Sequence, residues 1–248
     1  MPAAIPMPVR ATMARDSAGT PTIPRQQRRL LQIWLSPSFP VGAFAYSHGL
    51  ERAVDAGFVK NRATLRDWIA DLFAHGSIRN DLVLLAAAWR AAHSEDWEAL
   101  HCIAEVAAAL HPSAERRLES LTQGGSFMDA IEAAWPANRN GRPTPLSNRA
   151  IAYPVAVATT TAAHGIALDA TLEAYAIAFV GNLASAAIRL SVIGQTDAQR
   201  LQADLVAIVD AAAVMAATST LAELGSATWS ADLCSMEHET QYTRLFRS

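Results

Sequence analysis

Seven histidines and two cysteines are the residues of this chain best suited to hold a metal ion or to act as base or nucleophile. The histidines are His48, His75, His93, His101, His111, His164 and His238. No two stand three or four positions apart, so no helix presents an adjacent pair to one ion. Cys102 and Cys234 lie far apart, and neither belongs to a CxxC or CxxH spacing, which leaves zinc-ribbon and redox readings without support. No HExxH, GxSxG, phosphate-loop or dinucleotide fingerprint occurs. A Ser/His/acid hydrolase assembled from distant residues is the enzyme class that stays open, but nothing marks a strained nucleophile turn. The expectation is a non-catalytic protein with no cofactor of its own.

Three segments carry an uneven mixture of chemistry. The first runs from Phe39 to Glu51 through Pro40-Val41-Gly42-Ala43-Phe44 and Gly49-Leu50-Glu51. Read plainly, it is a rigid loop and a helix start packed by aromatics. The second, Ser185 to Asp197, places Arg189 near the end of an apolar helix, where a cation suits the negative end of the helix dipole. The third is the carboxyl end, Met236 to Ser248. Chain ends are usually polar and frayed. This one has Tyr242, Arg244, Leu245, Phe246 and Arg247 within its last seven residues. Aromatics and arginine are the types enriched in interface hot spots. On physical grounds, docking onto a partner and docking onto its own domain are equally open.

The elements that must position these segments are helical. Hydrophobic residues make up 51% and charged residues 17%, enough apolar matter for a sizeable core, and alanine, the best helix former, dominates it. Leu65, Trp68, Ile69, Leu72 and Phe73 form a core-facing stripe behind Thr64 as a cap. Similar stripes follow Asn80 or Asp81, Ser94, Ser113 and Asp169. A helix from Ala43 to Ala56 should end at Gly57. Gly124-Gly125 should interrupt or bend a helix. Pro154 should kink the helix over 148–164 or mark its true start. A last long helix should run from Ala198 to about Leu224. The sum is an all-α single domain of about eight to ten packed helices over residues 26–248. It follows a disordered proline-rich arm, 1–25, with one internal loop, 136–145.

The net charge of -3 gives no electrostatic footprint for nucleic acid. Lys60 is the only lysine, so the cations are arginines, which suit bidentate contacts to carboxylates. The apolar stretches 150–168 and 205–215 are broken by Pro154, His164 and Asp210, and neither reads as a membrane span. A soluble, cytoplasmic protein is expected.

Taken in order, these segments resemble the urease accessory protein UreF family. Pro40-Val41-Gly42-Ala43-Phe44 with Gly49-Leu50-Glu51 is similar to the family's opening motif. Glu115-Arg116-Arg117, then Gly124 and Phe127, resembles its central pattern. Ala186-Ala187-Ile188-Arg189 with Gly194-Gln195 resembles the late-helix motif, and His238 to Ser248 the terminal one. Tyr153-Pro154 stands where many members have His-Pro, and Ala158 where many have Gly.

The resemblance implies an all-helical homodimer in the complex that delivers nickel to apo-urease. Nickel is then cargo, not a resident cofactor. It implies a scaffold partner of the UreD (or UreH) type and a GTPase partner, UreG, whose GTP hydrolysis the protein regulates. It implies that Glu51 and Arg189 face the GTPase. The alternative for Glu51 is an exposed helix acid, and for Arg189 a structural interface residue rather than an arginine finger. Tyr242 and Arg244 would order on the scaffold partner, and Gln195, His238, Leu245 and Phe246 join the implied partner-binding set. A nickel carrier in its own right is the competing function.

Overall fold

The run Leu82-Val83-Leu84-Leu85-Ala86-Ala87-Ala88 is apolar without a break, which no surface helix with one wet face can accommodate. In the computed structural model, which describes residues 24–137 and 151–248, all of that run is buried. It lies in the fourth of ten α-helices among the described residues: α1 (Arg25–Trp34), α2 (Leu50–Asp55), α3 (Arg62–His75), α4 (Ser77–His93), α5 (Trp97–Ala109), α6 (Ala114–Ala134), α7 (Tyr153–Ala163), α8 (Leu168–Arg189), α9 (Gln195–Thr218) and α10 (Trp229–His238). No strand occurs among the described residues. The expected all-α fold is the observed one. The arm 1–25 lies outside the described residues except for its end, where Arg25 already opens α1; most of the loop 136–145 lies outside them too.

α4 is surrounded by α3, α5, α7, α8 and α9. Its alanines let α7 come close, and α7 is itself buried from Pro154 to Thr161. Three threonines in a dry helix need partners for their hydroxyls. Thr159 and Thr161 donate back to the carbonyls of Val155 and Val157, at 2.8 and 2.9 Å, and Thr160 turns to the sulfur of Met128. Pro154 marks the true start of α7, so no kink is needed. Tyr153 packs between Phe127 and Tyr175, ring centroids 5.7 and 5.5 Å away.

Several expected boundaries moved, each for a local reason. Asn61, not Thr64, caps α3; Thr64 answers it from the third helical position, closing a reciprocal capping box. α4 starts at Ser77, ahead of Asn80 and Asp81, which frees Asn80 to accept from the amide of Gly225 at 3.0 Å. Ser94 ends α4 instead of starting α5, which Asp96 caps through the amide of Ala99. Asp169 and Asp197 lie within first turns, where they suit the dipole, and do not cap. α9 ends at Thr218, and the separate α10 follows.

The helix expected over 43–56 is two pieces. A 3-10 turn, Ala43–Ala45, is followed by extended chain, and His48 and Gly49 both take positive φ (57° and 76°) before α2 begins. A side chain on Gly49 would meet the backbone of Ser235 at 3.1 Å, so this corner is shaped to receive α10.

Gly124-Gly125 does not interrupt α6, which runs unbroken for 21 residues. Gly124 is required for another reason: a Cβ there would lie 2.0 Å from the carbonyl oxygen of Ile151. Gly124→Ala should therefore destabilise the fold by about 3 kcal/mol, despite alanine's better helix propensity. A urea unfolding midpoint at or above that of the parent chain would contradict this close approach.

Candidate functional site

Glu51 sits in the first turn of α2 and is buried, not the exposed helix acid the sequence allowed. A buried carboxylate needs donors. It finds them nearly two hundred residues away, on the tail that follows α10. One oxygen accepts from the backbone amide of Leu245 at 2.7 Å, the other from that of Phe246 at 2.9 Å. Hydrogen bonds to an ionised acceptor stabilise by about 1.5–3 kcal/mol each. Nε2 of His238 lies 3.2 Å from the second oxygen.

Two further acids come from α6, at positions four apart and so on one face. Glu115 takes Nδ1 of His238 at 2.6 Å on one oxygen and Arg244 at 2.6 Å on the other. His238 is thus fully buried between two carboxylates. Glu119 is deeper. It accepts from Arg116, from Gln123 at 3.1 Å and from the hydroxyl of Ser248 at 2.6 Å. His48 Nδ1 lies 3.0 Å away, off the axis of a hydrogen bond.

Burial alone would push the Glu119 carboxyl up, but Arg116, then His48 and Ser248, hold it well below the usual carboxylate range. Burial, and then Arg116, pushes the His48 imidazole down, against Glu119, which pulls it up. The left-handed backbone of His48 is what turns that ring toward Glu119 and Phe179.

The path of the tail is completed by backbone. Arg247 donates to the carbonyl of Ala45 at 2.8 Å, and the amide and hydroxyl of Ser47 both donate to that of Ser248, at 2.8 and 2.5 Å. Glu239 accepts from the amide of Ala114 at 2.7 Å, serving the exposed donors at the start of α6. Phe246 is buried, with the Arg189 guanidinium 4.3 Å from its ring centroid. Arg189 also donates to the carbonyl of Phe44, so it reaches outward and does not fold onto its own helix end.

The structure thus brings together Glu51, Arg189, His238, Arg244, Leu245 and Phe246 from the sequence-derived set. Gln195 stands apart, exposed at the start of α9. Tyr242 is fully exposed at the turn of the tail, and Leu245 is 53% exposed. The tail packs on its own domain, with Arg244 paired to Glu115 and Tyr242 facing outward. Ser47, His48, Glu115 and Arg116 lie in segments that the sequence singles out but carry no role there, and Glu119 goes unmarked. The i, i+4 spacing of Glu115 and Glu119 was the available signal.

Glu119→Gln would leave Arg116 charged and buried without its acid, at a cost of about 3–5 kcal/mol at pH 7. The sign of the pH dependence follows from the depressed carboxyl. Its stabilisation is complete above the ordinary value of 4.5 and is lost as pH falls below it. Urea midpoints of the parent chain should therefore fall more steeply below that pH than those of Glu119→Gln. Parallel curves would contradict the assignment.

The pattern of the UreF family matches residues 59–206, a span that holds Glu115, Glu119 and Arg189. Named relatives extend further. The chain is 48% identical over 234 residues to the urease accessory protein UreF of Rhodopseudomonas palustris strain TIE-1, covering 93% of this chain and 98% of that one. It is 52% identical over 215 residues to that of Xanthobacter autotrophicus strain Py2, covering 87% and 88%. With the protein of the same name from Bradyrhizobium diazoefficiens it shares 48% identity over 218 residues, 88% and 90% of the two chains. The chain belongs to the UreF family.

Proposed function

We propose that this chain is a non-catalytic assembly factor in urease maturation. Its folded-back tail, with the outer face of α10, grips a UreD/UreH-type scaffold and helps recruit the GTPase UreG, whose hydrolysis it regulates. Nickel travels through the resulting complex to apo-urease as cargo. Family membership supports the general role, since the relatives described above are named as urease accessory proteins.

The observation that carries the finer reading is the tail itself. It is anchored at His238, Phe246 and Ser248, all buried, while Tyr242 and Leu245 project from it. An aromatic and an aliphatic side chain held on a fixed backbone lose little further entropy on binding. Trp229, Leu233 and Met236 continue the exposed apolar surface along α10. Glu51, His238 and Phe246 are used up inside, so they act on a partner by setting the shape of the tail.

A homodimer fits a second surface. Ile177 on α8 and Val206 and Val214 on α9 are exposed, on two helices packed side by side, with Ala174, Ala178 and Gly181 beside Ile177. α8 and α9 are also long and apolar enough to cross a membrane by length and composition, and both share the core with α4. An accessory protein of the cytoplasm is the reading that agrees with the family.

Replacing Tyr242 and Leu245 together by alanine tests this. Both project outward, so unfolding stability should change by no more than about 1 kcal/mol. Co-purification with the UreD/UreH-type protein should fall by about 30-fold in affinity, as expected for an aromatic hot spot. Unchanged recovery of both the scaffold and the GTPase would refute the role given to the tail.

A further inference from the structure

A cleft of about 390 Å³ opens between α10, the first turn of α4 and the turn joining α5 to α6. It lies on the far side of α10 from the tail anchor, and Arg116, which pairs with Glu119 in that anchor, reaches its lining. Trp229, Asp232, Leu233 and Met236 fall at i, i+3, i+4 and i+7 along α10 and line one wall, with Leu110 opposite. Trp229 is 73% exposed and Leu233 55%. The walls are therefore apolar and open to solvent. At the inner end lies Asp81, whose carboxylate accepts the hydroxyl of Tyr175 at 3.0 Å and no other hydrogen bond among the described residues. Arg116, the cation nearest to hand, is already committed to Glu119.

We propose that this cleft binds a cation carried on an apolar stem, an alkylammonium or alkylguanidinium group, with Asp81 as its counter-ion. The stem lies along Leu110, Leu233 and Met236, and the indole of Trp229 at the mouth adds an aromatic face for the cation. Asp232 lines the same cleft and adds a second negative group. Arg116 reaches the lining too, but its guanidinium is paired with Glu119, and burial, then Arg116, pushes His111 down to about 4 and leaves it neutral.

The titration of Asp81 gives the site a distinctive signature. Burial pushes its carboxyl up to about 6, against Arg116 and Tyr175, which pull it down, and with Glu119, which pushes it further up. A strained acid in a cleft is a mark of a binding site when geometry supports it. A cation favours the ionised form, so below about pH 6 it must displace a proton. Its affinity should rise from pH 5 to pH 7.5, whereas that of a neutral analogue should not.

The test is calorimetric titration of the full chain with n-butylguanidinium chloride, with n-butanol as the neutral match. At pH 7.5 the cation should bind about ten-fold more tightly, and most of that advantage should vanish by pH 5. Asp81→Asn should abolish it. That variant should fold, because a carboxyl raised in the folded state costs stability as pH rises through 3.8 to about 6, and the amide stays neutral. Trp229→Ala, a change at an exposed side chain, should weaken the cation several-fold with no effect on folding. Equal binding of cation and alcohol, or undiminished cation binding by either variant, would overturn the proposal. Capture of the UreD/UreH-type protein by Asp81→Asn then separates two sources. A loss identifies a lysine or arginine donated by that partner; no loss identifies a free small amine or guanidine.

Discussion

A carboxylate taken out of water must be met by donors or the fold loses several kcal/mol. This chain buries or half-buries three of them at one seam, Glu51 on α2 and Glu115 and Glu119 on α6. No neighbouring helix supplies enough partners. The carboxyl-terminal tail adds two backbone amides for Glu51, Arg244 for Glu115 and the Ser248 hydroxyl for Glu119, beside His238 at the end of α10. The path of the last ten residues follows from that demand. So does the odd geometry at 46–49, where a left-handed His48 points its ring at Glu119 and Gly49 admits the backbone of Ser235.

For the function proposed above, the consequence is preorganisation. A tail free in solution would pay its ordering entropy on meeting a partner. This one has met most of that cost inside the fold, with Tyr242 and Leu245 left facing out. Arg189 joins the same device by stacking on Phe246, which explains how a residue on α8 and a residue near the chain end come to lie in one site.

The helices were legible in the sequence because they rest on local spacing. The stripe from Leu65 to Phe73 is buried as its period demands, with Trp68 at its edge, and the unbroken run 82–88 lies at the centre. What escaped was non-local. Nothing near Glu51 tells that its partners stand 194 and 195 positions away, so an exposed acid and a buried anchor look alike. Composition of the tail fits self-docking and partner-docking equally, and the self-docked path is visible only in the fold. Gly124 illustrates the same limit. Sequence reasoning sees a helix breaker, whereas the structure shows a helix intact and a carbonyl passing where a side chain would stand. α10 is short and mixed in polarity, so its residues give no stripe by which the sequence would mark a helix there.

Amide hydrogen exchange of the isolated chain addresses the central claim most directly. If Glu51 holds the tail in place without a partner, the amides of Leu245 and Phe246 exchange slowly in the parent protein, and Glu51→Ala speeds both by about ten-fold or more. Exchange of those two amides at the rate of unstructured chain in the parent, or at rates that Glu51→Ala leaves unchanged, would contradict the account.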